Sequence, residues 1–194
     1  MSSLDHESRL GRTLDGILGV CEAAGVGAAV IGGIATGALG KARFTKDIDL
    51  AVALDNDNLE DFLRVAQERR FEPRVADVVA FAKQARVLLL RDLSTGIEVD
   101  LALRGIPFHD ELIDNAIRVP LLGRMVPVAA AQYIVVSKAI TPRPQDHVDV
   151  TSVLEANPQI DIAWVRARLT EFAEVLEDPE IVPRFERLVR QARH

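Results

Sequence analysis

The chain has 194 residues and a mass of 21.2 kDa, the size of one domain with room for a small appended lobe. Apolar residues make up 48% and charged residues 27%, a balance that excludes a disordered or collagen-like polymer. The net charge of −6 provides no global basic field for nucleic acid, and a single cysteine, Cys21, excludes an intrachain disulfide and a cysteine-rich zinc site.

The stretch from Met1 to Arg12 carries Asp5, Glu7, Arg9 and Arg12 and no apolar segment. It is not a secretory signal, and the expected compartment is a reducing cytoplasm. Leu10, Leu14, Ile17, Leu18 and Cys21 recur at helical spacing and predict a helix over 4–24. The uncharged run 23–40 is as long as the shortest membrane spans, but it contains six glycines. It reads instead as a buried strand over 28–31, a Gly32-Gly33 turn and a helix starting over 34–39, so no membrane association is expected.

A second strand is expected over 48–54 and a helix over 58–70, with Leu59, Phe62, Leu63 and Ala66 on one face. The runs 86–92 and 97–103 flank Leu93-Ser94-Thr95-Gly96 and predict a hairpin. Residues 119–128 suggest a further small hairpin or loop. A helix over 129–140 is stopped by Thr141-Pro142-Arg143-Pro144, and helical stretches follow over about 145–156, 161–176 and 180–193. The expected architecture is α+β: a mixed sheet flanked by helices over residues 1–128, then a helical lobe over 129–194.

Familiar glycine motifs fail on inspection. Gly25-Val26-Gly27-Ala28-Ala29-Val30 lacks the last small residue of a dinucleotide fingerprint and precedes its strand. Gly40-Lys41 lacks the preceding glycine and the following hydroxyl of a phosphate loop, since positions 35 and 42 are both Ala. The histidines at 6, 109, 147 and 194 form no close metal-binding pair.

The aspartates carry the chemistry. On a strand, Asp47 and Asp49 project to one face while Ile48 and Leu50 face the core. Two such charges side by side repel by roughly 3 kcal/mol at an effective dielectric of about 20, which a cation between them relieves. Oxygen-only ligands suit Mg²⁺, which also takes phosphate oxygens from a nucleotide. Glu98-Val99-Asp100-Leu101 repeats the alternation, so Asp100 becomes a third carboxylate if its strand lies beside the first. Three carboxylates can hold two metals about 3.5–4 Å apart, a geometry suited to phosphoryl chemistry. Gly32-Gly33 at a strand-to-helix turn would let a phosphate approach backbone N–H groups; as a bare dipeptide it reads more readily as a tight turn.

Ile31-Gly32-Gly33, then 13 residues, then Asp47-Ile48-Asp49-Leu50 and a later Asp100 resemble the nucleotidyltransferase fold of the DNA polymerase β superfamily. The longer string Arg43-x-Thr45-x-Asp47-Ile48-Asp49-Leu50 is similar to AbiEii-type toxin nucleotidyltransferases. So is the later set Lys138, Arg143, Asp146 and Asp149. The resemblance implies an enzyme that moves a nucleoside monophosphate from an NTP to an acceptor, with Mg²⁺ or Mn²⁺ held by Asp47, Asp49 and Asp100. It implies nucleotide contacts at Gly32, Gly33, Arg43, Thr45 and Lys138, an acceptor that is tRNA in the toxin group, and a cognate antitoxin. The alternative is a non-catalytic binding or regulatory protein of the same fold.

Other residues allow two readings each. Arg43 approaches a phosphate or pairs with Asp47. Lys138 holds triphosphate charge or is a solvated helix lysine, and Asp146 and Asp149 orient it or merely solvate their helix. Arg184, Arg187, Arg190 and Arg193, with Arg166 and Arg168, form the basic cluster available to RNA; the bland reading is a solvated face. Trp164 and Phe172 read as core of the helical lobe.

Overall fold

The structure, a computed structural model, describes residues 3–42 and 44–193. Its contacts divide the chain into two compact units, Met1–Ile34 with Phe44–Ala129, and Ala35–Arg43 with Ala130–His194. Among the described residues no helix is long and apolar enough to cross a membrane.

The first unit contains a seven-stranded mixed sheet in the order β3-β4-β5-β2-β1-β7-β6. The strands are β1 (Ala28–Val30), β2 (Asp47–Val52), β3 (Phe71–Pro73), β4 (Val87–Asp92), β5 (Glu98–Leu103), β6 (Ile117–Leu121) and β7 (Arg124–Val128). Helix α1 (Ser3–Ala23) is followed by α2 (Gly32–Leu39), α3 (Leu59–Glu68), α4 (Val78–Ala85) and α5 (Pro107–Asp114). The hairpin expected around 93–96 forms as β4–β5, and the stretch 119–128, expected as a hairpin or loop, lies in the hairpin β6–β7.

Alternation sorts the two faces of the central strands. Ile48, Leu50 and Val52 of β2, Val99, Leu101 and Leu103 of β5, and Leu88 and Leu90 of β4 are wholly buried. Helix α1 is tied to this core side. Thr13 donates to the buried Asp92 at 2.7 Å, and a Cβ at Gly16 would meet the Phe71 ring at 3.1 Å, so the glycine lets the ring pack close against the helix. Cys21 is buried in α1, and burial pushes its thiol up to about 12, so it offers no nucleophile near neutral pH.

The second unit packs α6 (Ala131–Ala139), α7 (Pro144–Ala156), α8 (Ile162–Val175) and α9 (Ile181–Ala192). Pro144 starts α7 at its first turn, where a missing N–H costs nothing. Segment 35–42 docks on α7: the Lys41 amide donates to Ser152 Oγ at 2.6 Å, and Asn157 Nδ2 donates to Leu39 O at 2.6 Å. Trp164 lies edge-on to Tyr133 with centroids 5.2 Å apart, and Arg168 covers its ring.

Candidate active site

Strands β2 and β5 run parallel with Asp47 opposite Glu98 and Asp49 opposite Asp100. Paired residues share a face, so four carboxylates stand together on the side away from the Ile48–Val99 core. Strand β1 pairs antiparallel with β2, and the Ile31 amide donates to Asp49 O at 2.9 Å. The next residue, Gly32, turns into α2 with φ +60°. A Cβ there would lie 2.7 Å from Asp49 Cβ and closer still to its carboxylate. Gly32 thus admits Asp49, and Gly32 and Gly33 present the first turn of α2 beside it.

Each aspartate of the proposed triad has a protein neighbour. Thr45 Oγ1 donates to Asp47 Oδ1 at 2.8 Å, Asp49 lies under Gly32, and Arg74 Nη2 donates to Asp100 Oδ1. Arg74 Nη1 also donates to Glu98 Oε2 at 2.8 Å. Among the described residues no three acidic, histidine or cysteine side chains form a ready coordination cluster. The donor set still fits a hard divalent ion, since it consists of carboxylate oxygens aligned on one face.

Burial, with Asp47 and Glu98 adding like charge, lifts the Asp100 carboxyl above the usual carboxylate range against the pull of Arg74. Glu98 goes the other way, lowered first by the hydrogen bond from Arg91 and further by Arg74.

Arg43 lies outside the described residues. Lys138 is not a solvated helix lysine: its ammonium sits 2.6 Å from Asp146 and 3.1 Å from Asp149, both buried, with 14% of its own side chain exposed. Thr141 and Arg143 also donate to Asp146. Burial raises the Asp146 carboxyl, but the hydrogen bonds from Lys138, Thr141 and Arg143 outweigh it and leave it below the usual range. The expected basic ridge is largely neutralised. Arg184 is 9% exposed and pairs with Asp178 at 3.2 Å, because it falls on the inner face of α9. Arg187 pairs with Glu180, Arg166 with Glu186 and Arg168 with Glu171.

Arg74 is the site residue that the motifs miss. It follows Phe71-Glu72-Pro73, a strand of three residues, too short for alternation to mark it. The signal available is chemical: an uncompensated acid pair on β5 calls for a cation on a neighbouring strand.

A family model described as nucleotidyl transferase of unknown function (DUF2204) matches residues 11–189. No curated protein matches the chain. The solution structure of the antibiotic-resistance factor ANT(2″)-Ia aligns at 15% identity and a TM-score of 0.57, covering 88% of this chain and 95% of that one. A crystal structure of ANT(2″)-Ia aligns at 16% identity and a TM-score of 0.57, covering 86% and 98%. An antigenic nucleotidyltransferase-like protein from Paracoccidioides brasiliensis aligns at 18% identity and a TM-score of 0.50, covering 96% and 94%. At these identities the likeness is one of fold.

Proposed function

The chain belongs to this nucleotidyl transferase family, and we propose that it is a metal-dependent enzyme moving a nucleoside monophosphate from an NTP to an acceptor hydroxyl. The observation that carries this reading is the parallel register of Asp49 with Asp100, beside the Gly32 turn. Asp47, Asp49 and Asp100 would hold Mg²⁺ or Mn²⁺. Such ions, when bound, neutralise phosphate charge and order the reacting oxygens.

The first-turn amides of α2 at Gly32 and Gly33 would bind phosphate. Asp100 would accept the acceptor's hydroxyl proton as that oxygen bonds to the α-phosphorus. The α-phosphorus–oxygen bond to pyrophosphate then breaks. Thr45 and Lys138 enter as nucleotide contacts on the strength of the AbiEii-type resemblance alone, as does Arg43.

That resemblance points to RNA as acceptor, tRNA in the toxin group, with a cognate antitoxin as partner. The acidic net charge and the ion pairs on Arg166, Arg168, Arg184 and Arg187 favour a small molecule instead. An ANT(2″)-Ia structure is in complex with adenylyl-2″-tobramycin, a small-molecule precedent for this fold. The pairing of Asp100 with Arg74 favours a second reading, a non-catalytic binding protein in which the guanidinium takes the cation's place.

Calorimetry with ATP and the other NTPs tests the first reading. Binding is expected only with Mg²⁺ or Mn²⁺, and Asp47→Asn or Asp49→Asn removes the metal-dependent part while leaving the chain folded. Equal affinity with and without metal overturns it. Metal-dependent binding without pyrophosphate release, across RNA and small-molecule acceptors, supports the second reading.

A further inference from the structure

Arg74 meets the acid face with both arms of its fork, on Glu98 and on Asp100. Its backbone amide donates to Leu89 O at 3.0 Å, which extends the β3–β4 ladder by one residue. Leu89 stands opposite Asp100, so this extension puts Arg74 on the face of Asp49 and Asp100. Only 18% of the side chain is exposed, and Nε is buried without a hydrogen-bond partner. Glu98, by contrast, has a second arginine: Arg91 Nη2 lies 2.7 Å from Oε1. Glu98 is therefore held whether or not Arg74 bridges to Asp100, and offers Arg74 an anchor of its own.

We propose that Arg74 is a positioning residue that stands in for the divalent ion. Its guanidinium holds Asp100 in the metal-free protein, competes with the ion for that carboxylate, and remains on Glu98 when the ion enters. This rests on the metal-binding reading of Asp47, Asp49 and Asp100. Like charges gathered on one face need a counter-charge to stay ionised and folded. A singly charged guanidinium supplies it reversibly, because a doubly charged ion attracts the same carboxylate more strongly. Metal affinity is thereby kept low until a nucleotide adds its phosphate oxygens as ligands.

Mn²⁺ titrations of the full chain without nucleotide, followed by electron paramagnetic resonance, test this. Arg74→Gln is expected to bind Mn²⁺ about five-fold tighter than the parent. Arg74→Lys, which keeps a charge but not the fork, falls between them. In the parent, the Arg74 Nε–Hε resonance, assigned through its own side-chain carbons, shifts on saturation with Mg²⁺. Equal or weaker Mn²⁺ binding by Arg74→Gln, or a resonance that stays in place while Mg²⁺ binds, makes Arg74 a fixed structural pair and overturns the proposal. Failure of the parent and both variants to bind Mn²⁺ at millimolar concentration overturns the metal-site reading itself, and the role of Arg74 with it.

Discussion

The carboxylate of Asp49 occupies the space that a side chain on Gly32 would fill. The antiparallel pairing of Val30 with Leu50 and the Ile31 amide on Asp49 O fix the spacing between the two residues. The glycine turn and the aspartate pair, far apart in sequence, are therefore one piece of structure. Gly32 is needed at least as much for the acid beside it as for any phosphate above it.

Gly25 separates the two costs of replacing such a glycine. Its φ is +66°, close to the +60° of Gly32, but nothing lies within 4 Å of its Cβ position. Gly25→Ala should cost about 1–2 kcal/mol, the conformational term alone. Gly32→Ala adds a collision with Asp49 and should cost about 2–5 kcal/mol in urea unfolding. Equal costs for the two variants would mean that the Asp49 side chain swings clear.

Asp92 makes stability sensitive to acid. Burial raises its carboxyl, but hydrogen bonds from Ser94, Thr13 and Thr95 outweigh this and hold it below the usual carboxylate range. A carboxylate whose folded pKa is depressed stabilises the fold above its unfolded value, about 3.9, and that contribution is lost as pH falls through the folded value. Urea midpoints measured between neutral pH and about pH 3 should fall for the parent and change less for Asp92→Asn. Thr13→Val, which removes one donor, should lie between them. Parallel pH profiles for parent and Asp92→Asn would assign the acid sensitivity elsewhere.

The sheet is legible in the sequence where alternation is strong. Asp47-Ile48-Asp49-Leu50 and Glu98-Val99-Asp100-Leu101 each set acids against core residues, and the two strands pair in register. Elements without that pattern escape. Strand β3 has three residues, too few for a period. Helix α4 follows Asp77, which makes no capping hydrogen bond with its side chain, and is closed by Arg86, left-handed without being glycine, so its C-terminal end lacks the usual mark. Helix α5 begins at Pro107, which marks its first turn, but only Leu112 is buried in it, which leaves no apolar stripe to read. Arg74 enters the site from the residue just after β3 and is lost with it. Lys138 is legible as a cation, but its partnership with Asp146 and Asp149 depends on how α6 meets α7, which spacing along either helix does not reveal.

That partnership makes Lys138 a determinant of stability. Removing one member of a buried ion pair leaves uncompensated charge, at a cost of about 3–5 kcal/mol. Asp146 and Asp149 are only 3% and 2% exposed, so Lys138→Ala belongs in that range. The double variant Lys138→Met with Asp149→Asn removes both charges of one pair and should recover part of the loss. Chemical unfolding of the three proteins measures this. A Lys138→Ala variant as stable as the parent would mean that water or Arg143 takes over the two carboxylates.

The arginines of α9 should divide into two kinds. Arg184 is buried against Ile140 O and pairs with Asp178, so Arg184→Ala should lower stability by about 0.5–3 kcal/mol, through lost packing of its stem as well as the lost charge. It cannot reach a phosphate without leaving that place. Arg187 and Arg190 are exposed, and Arg187 holds Glu180 only loosely, at 3.7 Å. For an RNA acceptor, affinity falls with salt by about 0.7 log units per phosphate neutralised on a single strand, per log unit of salt. Arg187→Ala combined with Arg190→Ala should therefore reduce the slope by about 1.4 if each touches one phosphate. Arg184→Ala should leave the slope unchanged at temperatures where it stays folded. Filter binding of tRNA across a salt series reads both. No affinity for RNA even at low salt would remove RNA as the acceptor and leave the small-molecule class.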